Sequence, residues 1–289
     1  MDSRVKGMSR LAAAGAIVIL ASGVAACSSS SGSKGASGQQ AKTPQQAIQL
    51  AADTSRSINT FAATVNVKLS SGANGVGAVN LTGAVTEQLH PSLLAEADYS
   101  TFAAGGQSFP GGMSEIITAN SVYIKLGLLT QAVHTGKPWI AIPFSALSKA
   151  SGVNLGSLFS QLQTSSPLSQ SQLFAGATNV KKAGTGTIDG VPVTEYSGTV
   201  TMAQAMAKLP ADLRSSLGPV ITKAGIKSAK FTEWVDAQNQ VRKVVVTESG
   251  SSFTETITTT VSSINQPVHI QVPPASQTAS LPASILNHM

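Results

Sequence analysis

The chain has 289 residues, of which 42% are hydrophobic, so it is long enough to bury a large apolar core in one domain or two. Charged residues make up only 11% and aromatic residues 4%, a composition more typical of a secreted or envelope protein than of a cytosolic enzyme. The formal charge of +6 falls to about +4 when residues 1–26 are left out, and this mild bias argues against nucleic-acid binding, which needs a clustered basic surface.

Residues 1–26 have the pattern of a secretory signal peptide. A basic segment precedes the apolar run LAAAGAIVIL, and small residues follow this run up to Ala26. The run is shorter than the roughly 20 apolar residues that a membrane-spanning helix needs. We therefore expect residues 1–26 to be removed, and we expect no membrane span in the remainder of the chain.

The single cysteine, Cys27, stands directly after this segment. Val24-Ala25-Ala26-Cys27 resembles the lipobox of bacterial lipoproteins, in which an aliphatic residue and two small residues precede the cysteine. The resemblance implies cleavage between Ala26 and Cys27, and a diacylglyceryl group on the Cys27 sulfur. Together with a second acylation, this group would anchor the mature protein to the extracytoplasmic face of the cell membrane. An ordinary secretory signal followed by an incidental cysteine is the alternative.

Residues 27–42 continue as a tract of serine, glycine and glutamine. Such a segment predicts a flexible tether with a root-mean-square reach of about 20 Å. The tether would hold the folded part of the chain near the membrane without fixing its orientation.

The folded part begins with a predicted helix from Pro44 to Ile58, because Thr43 suits the N-cap and Pro44 suits the first helical position. After this helix the hydrophobic period changes to two, which is typical of antiparallel strands with one buried face. The apolar sides of the first two strands contain Val65, Val67, Leu69, Val79, Leu81 and Val85. Further strands are predicted at Leu93–Thr101, Ser114–Thr118, Ser121–Leu126, Val180–Ile188, Val191–Val200, Ser228–Asp236, Val241–Glu248 and Ser252–Ser262.

Helical spacing returns in Phe144–Phe174, where we predict two or three short helices, and again after Thr201. The predicted fold class is α+β, with a curled antiparallel sheet, or half-barrel, of about ten strands and with helices packed on its concave face. No boundary interrupts the pattern, so we predict a single domain over residues 43–272. The remaining residues, 273–289, contain prolines and are expected to be disordered.

Several segments resemble actinobacterial envelope lipoproteins of the LppX/LprG type. These are NSVYIKL followed by GKPWIAIP, then GTIDGVPVTEYSGTV and the closing FTEWVDAQNQVRKVVVTE. The resemblance covers about residues 43–265 and implies the fold of the periplasmic lipoprotein carrier LolA. In that family the cavity between sheet and helices accepts acyl chains, and members carry lipids or lipidated molecules across the envelope. A corresponding cavity here would be lined by the six strand residues named above, together with Trp139, Leu158 and Phe159.

The sequence predicts no catalytic residue, metal site or cofactor. No two of the four histidines have metal-ligand spacing, and no G-x-S-x-G presents a nucleophile. Glu96 and Asp98 share one face of a predicted strand and could serve acid–base chemistry, although a solvated strand face is the interpretation that we favour. The glycine-rich loop around Phe109 is either a lid over a cavity or a long hairpin connection.

Two functions remain open. The first is a non-catalytic carrier that takes a lipid, glycolipid or other lipidated amphiphile into an apolar cavity between sheet and helices. The second is a regulatory or interaction module with a filled core that binds another envelope protein. Inward-facing apolar residues are required by both, so the sequence does not separate them.

Overall fold

The structure is a computed structural model that describes residues 43–71, 77–104, 107–109, 111–151, 173–207, 214–215, 218, 221–222 and 224–281. The predicted signal peptide, Cys27 with its tether, Leu158 and Phe159 lie outside the described residues. The described helices are α1 (Pro44–Ser55), α2 (Gly127–Val133), α3 (Phe144–Ser151) and α4 (Met202–Ala207). Within the described part of the chain, no helix is both long enough and apolar enough to cross a membrane.

Thirteen strands of the described residues form one sheet. They are β1 (Thr60–Ser71), β2 (Val79–Gln88), β3 (Leu94–Ala104), β4 (Gln107–Ser108), β5 (Met113–Ile117), β6 (Ser121–Lys125), β7 (Trp139–Pro143), β8 (Lys181–Ile188), β9 (Val191–Thr201), β10 (Ser228–Asp236), β11 (Val241–Ser249), β12 (Phe253–Ile264) and β13 (Thr278–Ser280). Their order is β13-β7-β6-β5-β3-β2-β1-β12-β11-β10-β9-β8, and β4 pairs with the end of β3.

The sheet is open, because β8 and β13 form its two edges, and it is antiparallel except where β13 pairs with β7. The predicted α+β class with a large antiparallel sheet is therefore confirmed. Register shifts mark bulges, one of them at Gly83 where β2 pairs with β3. A side chain at Gly83 would collide with the backbone of Asp98 and Tyr99. Bulges of this kind increase the local twist and help a long sheet to curl.

The predicted N-terminal helix is present as α1. A capping box begins it: Thr43 Oγ1 accepts a hydrogen bond from Gln46 N at 3.2 Å, and Gln46 Oε1 accepts one from Thr43 N at 3.1 Å. The helix ends at Ser55 rather than at Ile58. Its buried side packs on the face of the sheet that we call the inner face, defined by Phe61, Ala63, Val67 and Leu69 of β1 and the residues level with them on neighbouring strands.

Two apolar clusters cover most of the inner face, and a third, smaller cluster joins Ile140 and Ile142 of β7 to Leu281. The helix-side cluster joins α1, α3, α4 and Phe174 to β1 and β10–β12, and it includes the rings of Phe174 and Phe231, stacked with centroids 4.3 Å apart. The strand-side cluster lies mainly on β1, β2 and β3. Its buried members are Val67, Leu69, Val79, Leu81, Ala97, Tyr99, Phe102, Ala104 and Ile257.

Four of the described elements were not predicted from the sequence, namely the helix α2 and the strands β4, β7 and β13. Proline precedes β7 at position 138 and ends it at Pro143, so the strand is too short and too interrupted for its alternation to be recognised. With β4 and β13, these short strands raise the total in the described residues to thirteen, where about ten were predicted.

The tail also departs from the prediction, because part of it is ordered. Thr278–Ser280 form β13, and Leu281 is 7% exposed and packs with Ile140 and Ile142 of β7. The expected disorder of residues 273–289 is therefore wrong for this part, while residues 282–289 lie outside the described residues. The prediction failed because β7, the strand against which β13 pairs, was not recognised.

Candidate functional site

The candidate site is the inner face of β1, β2, β3 and β5. All six strand residues predicted to line a cavity lie in the strand-side cluster or against it. The four closest to complete burial are Val67 (2% exposed), Leu69 (5%), Val79 (3%) and Leu81 (2%). Val65 and Val85 are half-buried and pack against this cluster. Alternation along β1 and β2 therefore predicted the inward-facing side chains of both strands.

Trp139 does not belong to this face. Ile140 and Ile142 of β7 are 0% and 4% exposed and face inward, so Trp139 lies on the outer side of the strand, where it is paired with Thr278. This position corrects the predicted lining, and its cause is that β7 was not recognised as a strand.

The connection between β3 and β5 folds back onto the strand-side cluster. Phe109 N donates a hydrogen bond to Phe102 O at 2.8 Å, and the two rings are stacked with centroids 4.9 Å apart. Gln107–Ser108 pair with the end of β3, which makes the segment a hairpin connection. At Gly112, where φ is +65°, a side chain would collide with the carbonyl of Tyr99. The connection therefore approaches the sheet closely and holds Phe109 against the inner face.

Carboxyl groups interrupt this apolar face. Among the described residues, four glutamates are buried: Glu87 (9% exposed), Glu115 (5%), Glu233 (0%) and Glu255 (3%). Each pairs in register with inward-facing residues, as Glu115 does with Ala97 of β3 and Ile124 of β6. Burying a charged carboxylate is costly, so buried carboxyls are expected to be neutral or paired.

Glu87, Tyr99 and Glu115 form what we call the inner polar cluster. Burial raises the pKa of Glu87 to about 8 and that of Glu115 to about 8, so both are largely protonated at neutral pH. Burial, followed by the charges of Glu115 and Glu87, raises the pKa of Tyr99, whose phenol therefore stays neutral. The cluster presents neutral groups that both donate and accept hydrogen bonds.

The buried carboxyls of Asp236 and Glu115 differ in their hydrogen bonding. Asp236, also buried, accepts hydrogen bonds from the backbone of Gln238 and Gln240 at 2.9 Å each and from Arg242 Nε at 2.7 Å. In contrast, Oε1 of Glu115 is buried and has no hydrogen-bond partner among the described residues. Asp236 therefore stabilises a strand end and turn, whereas Glu115 keeps hydrogen-bonding capacity inside an apolar face.

A second pair of carboxyls lies further along the inner face. Glu255 of β12 is paired directly with Glu248 of β11. Burial, followed by the charge of Glu248, raises the pKa of Glu255 to about 7, and burial raises that of Glu248. Oε1 of Glu255 also lacks a hydrogen-bond partner within the part of the chain that the structure describes.

The sequence analysis did not predict that Glu87, Glu115 and Glu255 are buried on the inner face. Glu87 has the same parity as Val85 and Leu89, so the alternation of β2 contained the signal for its inward position. In β5, whose sequence is MSEII, two isoleucines are adjacent, so alternation alone does not show whether Glu115 faces inward. The pairing of β5 with its neighbouring strands is needed to decide this. Glu96 and Asp98 lie on the outer face, where Asp98 is exposed and Glu96 is half-buried, and burial, followed by the charge of Asp98, raises the pKa of Glu96. Within the described ranges, no group of three or more His, Cys, Asp and Glu could hold a metal ion.

Comparisons with known proteins identify a relative of the chain and several similar structures, although no family model matches the chain. A protein of Streptomyces griseus, described as an uncharacterized 31.2 kDa protein in the rplA-rplJ intergenic region, is 29% identical over 180 residues. The match covers 61% of this chain and 57% of that protein, so it spans little more than half of the relative's length.

Among solved structures, LprF from Mycobacterium bovis matches 80% of this chain and 96% of its own, with 14% identity and a TM-score of 0.46. The lipoprotein LppX from Mycobacterium tuberculosis matches 79% of this chain and 98% of its own, with 18% identity and a TM-score of 0.43. A LolA superfamily protein from Nitrosomonas europaea matches 85% and 98%, with 9% identity and a TM-score of 0.28.

Proposed function

We propose that this protein is a membrane-anchored envelope lipoprotein that binds and carries a lipid, glycolipid or other lipidated amphiphile on the inner face of its sheet, without catalysing a reaction. The apolar chains of the ligand would lie against the strand-side cluster, beside the stacked rings of Phe102 and Phe109. Removing one chain of about 14 methylenes from water offers on the order of 10 kcal/mol before the costs of association.

One observation favours a ligand-binding face over a filled core. Glu115 and Glu255 each have a buried carboxyl oxygen without a hydrogen-bond partner among the described residues. Buried polar atoms in a filled core are almost always hydrogen-bonded, because each unsatisfied atom costs roughly 1–3 kcal/mol. Two such oxygens on one apolar face are expected where a bound molecule completes the hydrogen bonding.

The predicted anchor at Cys27 supplies the location. Lipidation of Cys27 and the tether of residues 27–42 would keep the domain within a few tens of ångströms of the extracytoplasmic membrane surface. A carrier in this position can take an amphiphile from the membrane and deliver it to an acceptor.

A second candidate function is binding of another envelope protein through the edge strand β8. Among the described residues, β8 pairs only with β9, and most of Lys181–Ile188 is exposed. Exposed edges of this kind can add a strand from a partner chain. Crosslinking in cells would identify such a partner.

The deciding experiment is analysis of bound lipid. The full-length chain would be purified in a mild detergent and extracted with organic solvent, and the extract would be analysed by mass spectrometry. We expect an acyl-containing molecule in stoichiometric amount, and less of it from Leu81→Gln than from the control Asn80→Gln, whose side chain is exposed on the same strand. A folded wild-type protein that yields no such molecule would contradict the carrier function.

A further inference from the structure

We propose that Glu87, Tyr99 and Glu115 form a polar subsite within the inner face, and that this subsite binds an uncharged, hydroxyl-bearing group of the amphiphile. The inference rests on the proposed function, because a ligand reaches these residues only if its apolar part lies on the same face. It adds the chemical class of the polar group and the residues that recognise it.

The sheet register brings the three side chains together. Glu87 of β2 is level with Ala95 of β3, and Glu115 of β5 is level with Ala97 of β3. Tyr99 follows two residues after Ala97, with its side chain on the same face. The part of the inner face between Glu87 and Glu115 is therefore formed by the methyl groups of Ala95 and Ala97. Both carboxyls interact electrostatically with Tyr99, whose phenol thus belongs to the same cluster.

The unsatisfied oxygen of Glu115 indicates that the cluster is a binding position. Glu115 is 5% exposed, and no hydrogen bond reaches its Oε1 from the described residues. Its in-register neighbours, Ala97 and Ile124, offer no polar side-chain atoms. A hydroxyl group of a bound molecule would supply the missing partner, which an acyl chain does not.

The electrostatics favour a neutral group over an anionic one. Burial is the only cause that raises the pKa of Glu87 and of Glu115, and no cation of the described residues offsets it. A phosphate here would be buried beside two carboxyls without a compensating positive charge, which is strongly unfavourable. Protonated carboxyls and a phenol, however, donate to and accept from a hydroxyl.

The test compares three lipids with identical acyl chains: dipalmitoylglycerol with its free hydroxyl, the acetate ester of that hydroxyl, and anionic dipalmitoyl phosphatidate. Each would be titrated from cyclodextrin into the full-length protein, and the dissociation constants would be measured. We expect wild-type protein to bind dipalmitoylglycerol about tenfold more tightly than either of the others, since a buried hydrogen bond has about this value.

Single-residue variants test which side chains cause the preference for the free hydroxyl group. Glu115→Leu should abolish the preference, so that dipalmitoylglycerol and its acetate ester bind with equal affinity, whereas Glu115→Gln should retain it because an amide also donates and accepts. Tyr99→Phe removes only one oxygen atom and should reduce the preference for the hydroxyl-bearing lipid. This variant also provides a second test of the subsite if Glu115→Leu does not fold. Asp98→Asn, on the outer face of the same strand, is the matched control.

The outcomes separate the two proposals. Binding of all three lipids with equal affinity, tighter binding of phosphatidate, or a hydroxyl preference that survives in both Glu115→Leu and Tyr99→Phe would overturn the subsite and leave the carrier function standing. Failure of all three lipids to bind would overturn both.

Discussion

Glu255 and Glu248 lie directly opposite each other on neighbouring strands of the inner face, with Leu69 opposite Glu255 on its other side. Glu255 is 3% exposed, so its charged form has little access to water. Two adjacent carboxylates in such a position do not both ionise readily, and their protons are lost in two coupled steps. This end of the inner face is therefore expected to hold a proton near neutral pH.

The pair predicts a coupled titration. Because the charge of Glu248 contributes to raising the pKa of Glu255, Glu248→Gln should lower the pKa of Glu255 without returning it to its ordinary value, since burial remains the larger cause. Carboxyl carbon chemical shifts measured by NMR across pH 4 to 9 would follow this change. Asp98→Asn, on the outer face, serves as the control, and an unshifted Glu255 in Glu248→Gln would show that the two carboxyls do not interact.

Stability should fall as the pH rises from 5 to 8. The pKa of Glu115 is about 8 in the folded protein and 4.5 in its ordinary state, so the folded form binds more protons in this interval. The stabilisation from Glu115 is fully present below pH 4.5, declines by roughly 1 kcal/mol per pH unit above it and is lost once the pH passes 8. Glu87 should contribute in the same direction.

Urea unfolding at pH 5, 6, 7 and 8 would measure this dependence. Glu115→Gln should reduce the decline in unfolding free energy between pH 5 and 8 by on the order of 3 kcal/mol, since an amide does not titrate. Asn80→Gln, at an exposed position on β2 that does not titrate, should leave the slope unchanged. An equally steep slope in Glu115→Gln would mean that Glu115 is not protonated in the folded protein.

Gly198 should be required where β9 passes the stacked rings of the helix-side cluster. A Cβ at this position would lie 2.7 Å from the ring of Phe231, which is stacked on Phe174 and has little room to move. Gly198→Ala is expected to lower the free energy of unfolding by about 1–3 kcal/mol through overpacking. Gly186→Ala on β8, where a Cβ meets nothing within 4 Å, is the matched control for thermal denaturation. Equal melting temperatures for the two variants would contradict the close approach.

Lys137 should hold the C-terminal strand on the sheet. Its Nζ donates hydrogen bonds to Ala275 O at 3.0 Å and to Thr278 O at 2.8 Å, next to the parallel pairing of β13 with β7. Lys137→Met should raise the amide hydrogen exchange rate of residues 278–281 about tenfold or more, because bonds from a charged donor are worth roughly 1.5–3 kcal/mol. Lys125→Met, at an exposed position on β6, is the control. Unchanged protection in Lys137→Met would show that strand pairing alone retains β13.

Local periodicity by itself determined which side chains of β1 and β2 face inward, because successive residues of a strand alternate between faces wherever the strand lies. The cap of α1 was equally local, since Thr43 contacts a residue only three positions away. By contrast, the outward position of Trp139 and the strand β13 depend on pairing between segments more than 130 residues apart, as the bonds of Lys137 to the tail illustrate. Only the tertiary structure places Glu87, Tyr99 and Glu115 on one face, because strand register decides which side chains of different strands meet. Burial by the surrounding residues, which is also a property of the folded chain, is the reason that the carboxyls of Glu87 and Glu115 hold protons.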